Sequence, residues 1–129
     1  MRLRLSHFLP VNKNELQSRT RDFAVRIVKL YRALPRTPEA QVLGKQVLRS
    51  GTSVAANYRA TCRARSKSEF IARLGVVVEE IDETVFWLDL LVACEIVSQQ
   101  KLASMAAEAG ELFAIFTASQ LTAKRGSRS

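Results

Sequence analysis

Leu16, Phe23, Ile27, Leu30 and Leu34 follow one another at intervals of seven, four, three and four residues. Side chains at those intervals stack on one face of an α-helix, so the pattern predicts a helix over about residues 14–34. Asn12 or Asn14 can cap its start, and Pro35 stops it. The next segment opens on Thr37-Pro38-Glu39. This supplies a hydroxyl N-cap, a proline whose missing N–H costs nothing at the first helical position, and a carboxylate at the positive helix end. A second helix is expected over about 38–65. Gly44 and Gly51 fall inside it, and each weakens a helix by about 1 kcal/mol relative to alanine. Both are therefore expected to mark close approach by another helix.

Ser66-Lys67-Ser68-Glu69 is a capping box, in which serine and glutamate each satisfy an orphan amide of the other's turn. It starts a third helix over about 67–97. Phe70, Leu74, Val77, Val78, Ile81, Val85, Leu88 and Val92 give this helix a broad apolar face. Ser98 caps a fourth over about 99–122, with Leu102, Met105, Ala109, Leu112, Phe113 and Phe116 in its stripe. Connections of a few residues make successive helices antiparallel. The expected fold class is all-α, an antiparallel up-down-up-down four-helix bundle over 12–123. A flexible N-terminal extension (1–11) and a basic disordered tail (124–129) are expected to flank it.

Composition narrows the function. At 129 residues and 47% hydrophobic the chain holds one core and needs no staple, while five glycines and three prolines are too few for a strand-and-turn fold. No apolar stretch approaches the length of a membrane span. Cys62 and Cys94 lie about 35 Å apart along antiparallel helices at 1.5 Å per residue, too far for a bridge within one subunit. They suit a reducing, cytoplasmic setting. The lone histidine, His7, leaves histidine catalysis and zinc chemistry without material. The acidic run Glu79-Glu80-Ile81-Asp82-Glu83 has no Glu-x-x-His partner for a di-iron site. Arg49-Ser50-Gly51-Thr52-Ser53 lacks the GxxxxGK[ST] frame of a phosphate loop. Neither a metal, a cofactor nor an enzymatic activity is expected.

Charge is the remaining clue. The net charge is +8, and it is polarised along the chain: the first two helices are strongly basic, the third acidic, the fourth near neutral. Lys45, Arg49, Arg59 and Arg63 fall on one arc of the second helix at 100° per residue, with only small Thr52 and Ala56 between them. Arg21, Lys29 and Arg32 add cations on the first helix, away from its apolar stripe. Such a surface fits structured RNA or DNA through phosphate contacts. The scarcity of aromatic residues, 7%, argues against single-strand base stacking. The alternative is a structural adaptor whose charged faces serve assembly and a protein partner. The third helix also carries a second apolar side, Val76, Trp87, Leu90, Cys94 and Val97 interleaved with Glu79, Glu80 and Glu83. A helix apolar on two sides predicts an oligomer interface, and its carboxylates could pair with the basic stripe of a neighbouring subunit.

The stretch LGKQVLRSGTSVAANYRATCRARSKSEFIARLGVVVEEIDETVFWLDLL, Leu43 to Leu91, closely resembles the bacterial 23S ribosomal RNA intervening-sequence, or S23-type, family. RSGTSVAANYR, the S-x-x-EF segment and the acidic ETVFWL segment carry the likeness, which extends over about Glu15 to Arg125. The family is similar in turn to the accessory protein of diversity-generating retroelements, a basic bundle that binds nucleic acid and a reverse transcriptase. The resemblance implies a four-helix bundle assembled as a homopentamer, with no catalytic residues to carry over.

Overall fold

A computed structural model describes residues 12–128. The extension at 1–11 lies outside the described residues. The elements are α1 (Lys13–Ala33), α2 (Pro38–Thr61), α3 (Lys67–Ala93) and α4 (Gln99–Arg128), and no strand occurs among the described residues. Each start is made by a side-chain cap that relieves an unpaired helix N–H. Asn12 Oδ1 accepts from the Glu15 amide at 2.8 Å, Thr37 Oγ1 from Ala40 at 3.4 Å, Ser66 Oγ from Glu69 at 3.1 Å, and Ser98 Oγ from Lys101 at 3.2 Å.

Three helix ends fall elsewhere than the pattern indicates. α2 stops at Thr61, a turn short of Arg65, with Cys62 as its cap. Bonds from the Arg63 amide to the Ala60 carbonyl and from Ala64 to Thr61 tighten the chain so that it can reverse into Ser66. α3 stops at Ala93 rather than near Val97. The Ile96 amide reaches back to the Leu91 carbonyl and the Glu95 amide to Val92, the paired closure of a Schellman motif with Glu95 in the left-handed position, φ 60°. α4 does not end near residue 122 but continues to Arg128, through most of the expected tail. Lysine and arginine are good helix formers, and cations near a C-terminus favour the helix dipole.

The core is one cluster fed by all four helices. Phe23 and Ile27 come from α1, Val47 and Val54 from α2, Leu74, Ile81 and Leu88 from α3, and Leu112 and Phe116 from α4. Both α2 glycines sit where α1 comes close: a Cβ at Gly51 would meet Ile27 Cγ1 at 2.8 Å, and one at Gly44 would meet Leu34 Cδ1 at 2.6 Å. At the α2–α3 seam the Thr84 hydroxyl donates to the Ser50 hydroxyl at 2.9 Å, both buried. Sequence-adjacent helices pack extensively, whereas α1 and α4 touch only sparsely. Their seam is closed by polar groups. Arg19 pairs with Glu108 at 2.8 Å and with Glu111, and Arg26 donates to the Ser104 hydroxyl at 3.0 Å.

Candidate nucleic-acid interface

The cap at Ser66 places the densest group of cations. It ends the turn after α2 and begins α3, so Arg59 near the end of α2 meets Arg63 and Arg65 of the turn and Arg73 of α3. These four line an open groove of about 350 Å³ whose floor is Ala56 and Ala60. A second groove of about 330 Å³, lined by Gln17, Arg21, Ala55, Ala56 and Arg59, shares Ala56 and Arg59 with it and carries the surface onto α1. The floor side chains, Ala55, Ala56 and Ala60, are small beside the arginines that line the two grooves. One carboxylate enters the groove. Glu69 accepts from the Arg65 amide at 3.0 Å and from Arg73 Nε at 2.8 Å, and those bonds hold its carboxyl below the usual range, the Arg65 amide contributing most. Arg59 and Arg63 are exposed, and neither meets a carboxylate among the described residues.

The stripe expected from the sequence is divided by this arrangement. Arg21, Arg59 and Arg63 come together. Lys29, Arg32 and Lys45 are exposed but lie at the other end of the α1–α2 hairpin, where Tyr31 and Leu34 pack against Gly44. Arg49 is not free for phosphate. It donates to Glu83 at 2.5 Å and to Glu80 at 3.2 Å, and the bond to Glu83 chiefly raises its already high pKa. Two of the three carboxylates considered for a neighbouring subunit, Glu80 and Glu83, are thus engaged inside the chain. Glu83 also accepts from the Trp87 indole N–H at 3.0 Å, and its carboxyl is held low by Trp87 first and Arg49 second.

Of the expected oligomer-interface residues, Val76 and Cys94 are exposed, Leu90 is half-buried, and Glu79 is exposed with no partner among the described residues. Trp87 is half-buried and packs on the core, edge-on to Phe86, with ring centroids 4.9 Å apart. Sequence reasoning did not single out Arg65 and Arg73. The signal was present: a serine N-cap at 66 puts Arg65 just outside the helix and Arg73 two turns into it, beside the end of α2. Among the described residues, no cluster of three or more His, Cys, Asp or Glu could hold a metal, and no helix is long and apolar enough to cross a membrane.

The geometry defines a helical-bundle scaffold whose distinguishing chemistry is an open arginine groove. The chain belongs to the 23S rRNA-intervening sequence protein family, whose model matches residues 12–118. Among solved structures it is similar to the 1.70 Å crystal structure of a protein with unknown function from the S23 ribosomal protein family of Bacteroides thetaiotaomicron VPI-5482. The two are 34% identical with a TM-score of 0.78, over 84% of this chain and 96% of that one. No curated protein matches.

Proposed function

We propose that this protein is a non-catalytic nucleic-acid-binding bundle that grips structured RNA or DNA by its phosphates. The observation that carries the reading is the groove in which Arg59, Arg63, Arg65 and Arg73 face a single carboxylate, itself already shared between two of them. Guanidinium groups suit phosphate oxygens because their planar fork donates two parallel hydrogen bonds. With the arginines taken up by phosphates, affinity would come from charge and vary little with sequence. In this reading the chain works as a homopentamer. The family resemblance supports that assembly, as do the exposed Val42 (61%), Phe86 (52%) and Val76 (38%) around α2 and α3. A ring would repeat the groove around its circumference and raise affinity through avidity wherever one nucleic acid reaches several copies.

The test is fluorescence anisotropy with labelled duplex RNA and DNA over a salt series. Binding should weaken linearly in log–log form, by about 0.9 per phosphate contact on duplex DNA. Arg59→Glu with Arg63→Glu should lower affinity at least tenfold on unrelated sequences and flatten the slope, with helicity and light-scattering mass unchanged. Retained affinity in a folded double variant refutes the groove. Loss of the oligomer before loss of binding would favour the adaptor reading.

A further inference from the structure

On the opposite side of α3 from the Arg49 contacts, α3 and α4 enclose a groove of about 470 Å³. Its walls are Val85, Leu88, Asp89 and Val92 from α3 and Leu102, Ala103, Ala106 and Ala107 from α4, with Gln99 at one end. Its wall residues extend about two helical turns along each helix at 1.5 Å per residue. Val85 stays 36% exposed in it, and the exposed alanines let another backbone approach α4 closely. Gly110, one turn further on, adds to this. A Cβ there would meet nothing within 4 Å, so no packing within the chain accounts for a helix-weakening residue at that position.

The charge around the groove is of one sign. Asp89 stands in its wall, and exposed Asp82 lies on the same flank of α3; neither forms an ion pair among the described residues. Between Leu74 and Ala123 the sequence contains one cation, Lys101, and that residue lines a different cleft, between α4 and α1. On a chain of net charge +8 this is a local acidic, apolar trough. From that complementarity we infer that the α3–α4 groove docks a cationic amphipathic helix of a partner protein, by the helix-in-groove mode in which i, i+3 and i+7 anchors enter an apolar cleft. A described segment of this chain is a poor occupant. α1 and α2 are its basic helices, but they bury their apolar stripes in their own core, leaving no row of anchors beside the cations.

The test uses two synthetic helical peptides with leucine at i, i+3 and i+7, one with lysine at the remaining positions and one with glutamate. The lysine peptide should bind at least tenfold more tightly, even though the protein as a whole repels it. Amide shifts on binding should map to Val85–Val92 and Gln99–Ala107. Ala106→Trp, which fills the groove from an exposed position, and Asp82→Lys with Asp89→Lys should each reduce binding at least tenfold. Neither should lower the melting temperature or the duplex-RNA affinity, and the added positive charge of the lysine pair should if anything raise the latter. Equal binding of the two peptides, or undiminished binding by folded Ala106→Trp, overturns the inference. It is also overturned if Ala106→Trp lowers the oligomer mass, which assigns the groove to a second copy. The same holds if deleting residues 1–11 is required before the peptide binds, which assigns it to the chain's own first segment.

Discussion

Replacing Gly51 by alanine sets two effects of similar size against each other, and the packing decides the sign. In a helix interior alanine is favoured over glycine by about 1 kcal/mol. At Gly51, however, the added methyl would lie 2.8, 3.0 and 3.1 Å from Cγ1, Cγ2 and Cδ1 of Ile27. Ile27 is fully buried and β-branched, so it has one strongly preferred rotamer on a helix and no open space to turn into. Relief requires α1 and α2 to separate by several tenths of an ångström, and overpacking of this kind costs about 1–3 kcal/mol. The net expectation is a loss of about 1 kcal/mol, or roughly 3–5 °C in Tm for a domain of this size. Gly110 provides the comparison, because the same substitution there meets nothing within 4 Å and should gain the full propensity term of about 1 kcal/mol. Urea denaturation at one fixed protein concentration, followed by circular dichroism, should move the two midpoints in opposite directions with unchanged m. Stabilisation by Gly51→Ala as large as that by Gly110→Ala would refute the close α1–α2 crossing. Destabilisation by Gly110→Ala would mean that another copy of the chain covers α4.

Glu95 occupies the left-handed position that closes α3 (φ 60°). Glu95→Gly should therefore stabilise by about 0.5–1 kcal/mol, read as a higher urea midpoint, even though glycine enlarges the unfolded ensemble. A pH titration of Trp87 fluorescence should report the Glu83 network. The Glu83 carboxyl is depressed in the folded state by the Trp87 indole and Arg49. Its contribution is thus complete above the ordinary carboxylate pKa of about 4.3 and fades as pH falls through the lower folded value. Glu83→Gln should abolish that acid step in the emission of the chain's one tryptophan. An unchanged step would assign it to another carboxylate.

The helix starts were legible because each is written in one or two residues, as at Thr37-Pro38 and at Ser66 with Glu69. The ends of α2 and α3 were not, because neither carries glycine or proline. Cys62 and Glu95 close their helices through backbone bonds that no side chain announces, and at Glu95 a residue ill suited to a positive φ is held there by the Schellman closure. α4 ran past its expected end because Lys124 and Arg125 read as a solvated tail by composition, while their helix propensity favours continuation. The helical wheel put Arg49 on the outer arc of α2, where it is exposed. What it could not show is that α3 brings Glu80 and Glu83 alongside, since that depends on the crossing of two helices. The groove was half visible for the same reason: Arg59 lies on α2, whereas Arg63 and Arg65 belong to the turn beyond Thr61 and, with Arg73, join it only once that turn has folded back.

The sparse α1–α4 seam has a kinetic consequence. The three extensive helix pairings are all between sequence neighbours, so most of the bundle can assemble by successive hairpin closures at low loop entropy. Only the joining of the first helix to the last has to bridge most of the chain, and it is sealed by Arg19 with Glu108 and Glu111 and by Arg26 with Ser104. Closure is therefore a late step that stabilises without nucleating. Weakening it should speed unfolding far more than it slows folding. In native-state hydrogen exchange α1 should separate from α4 as a sub-global opening, at lower free energy than the α2–α3 pair. The bundle would then open along this one edge as a strip of three hinged pairs, its central seam still intact.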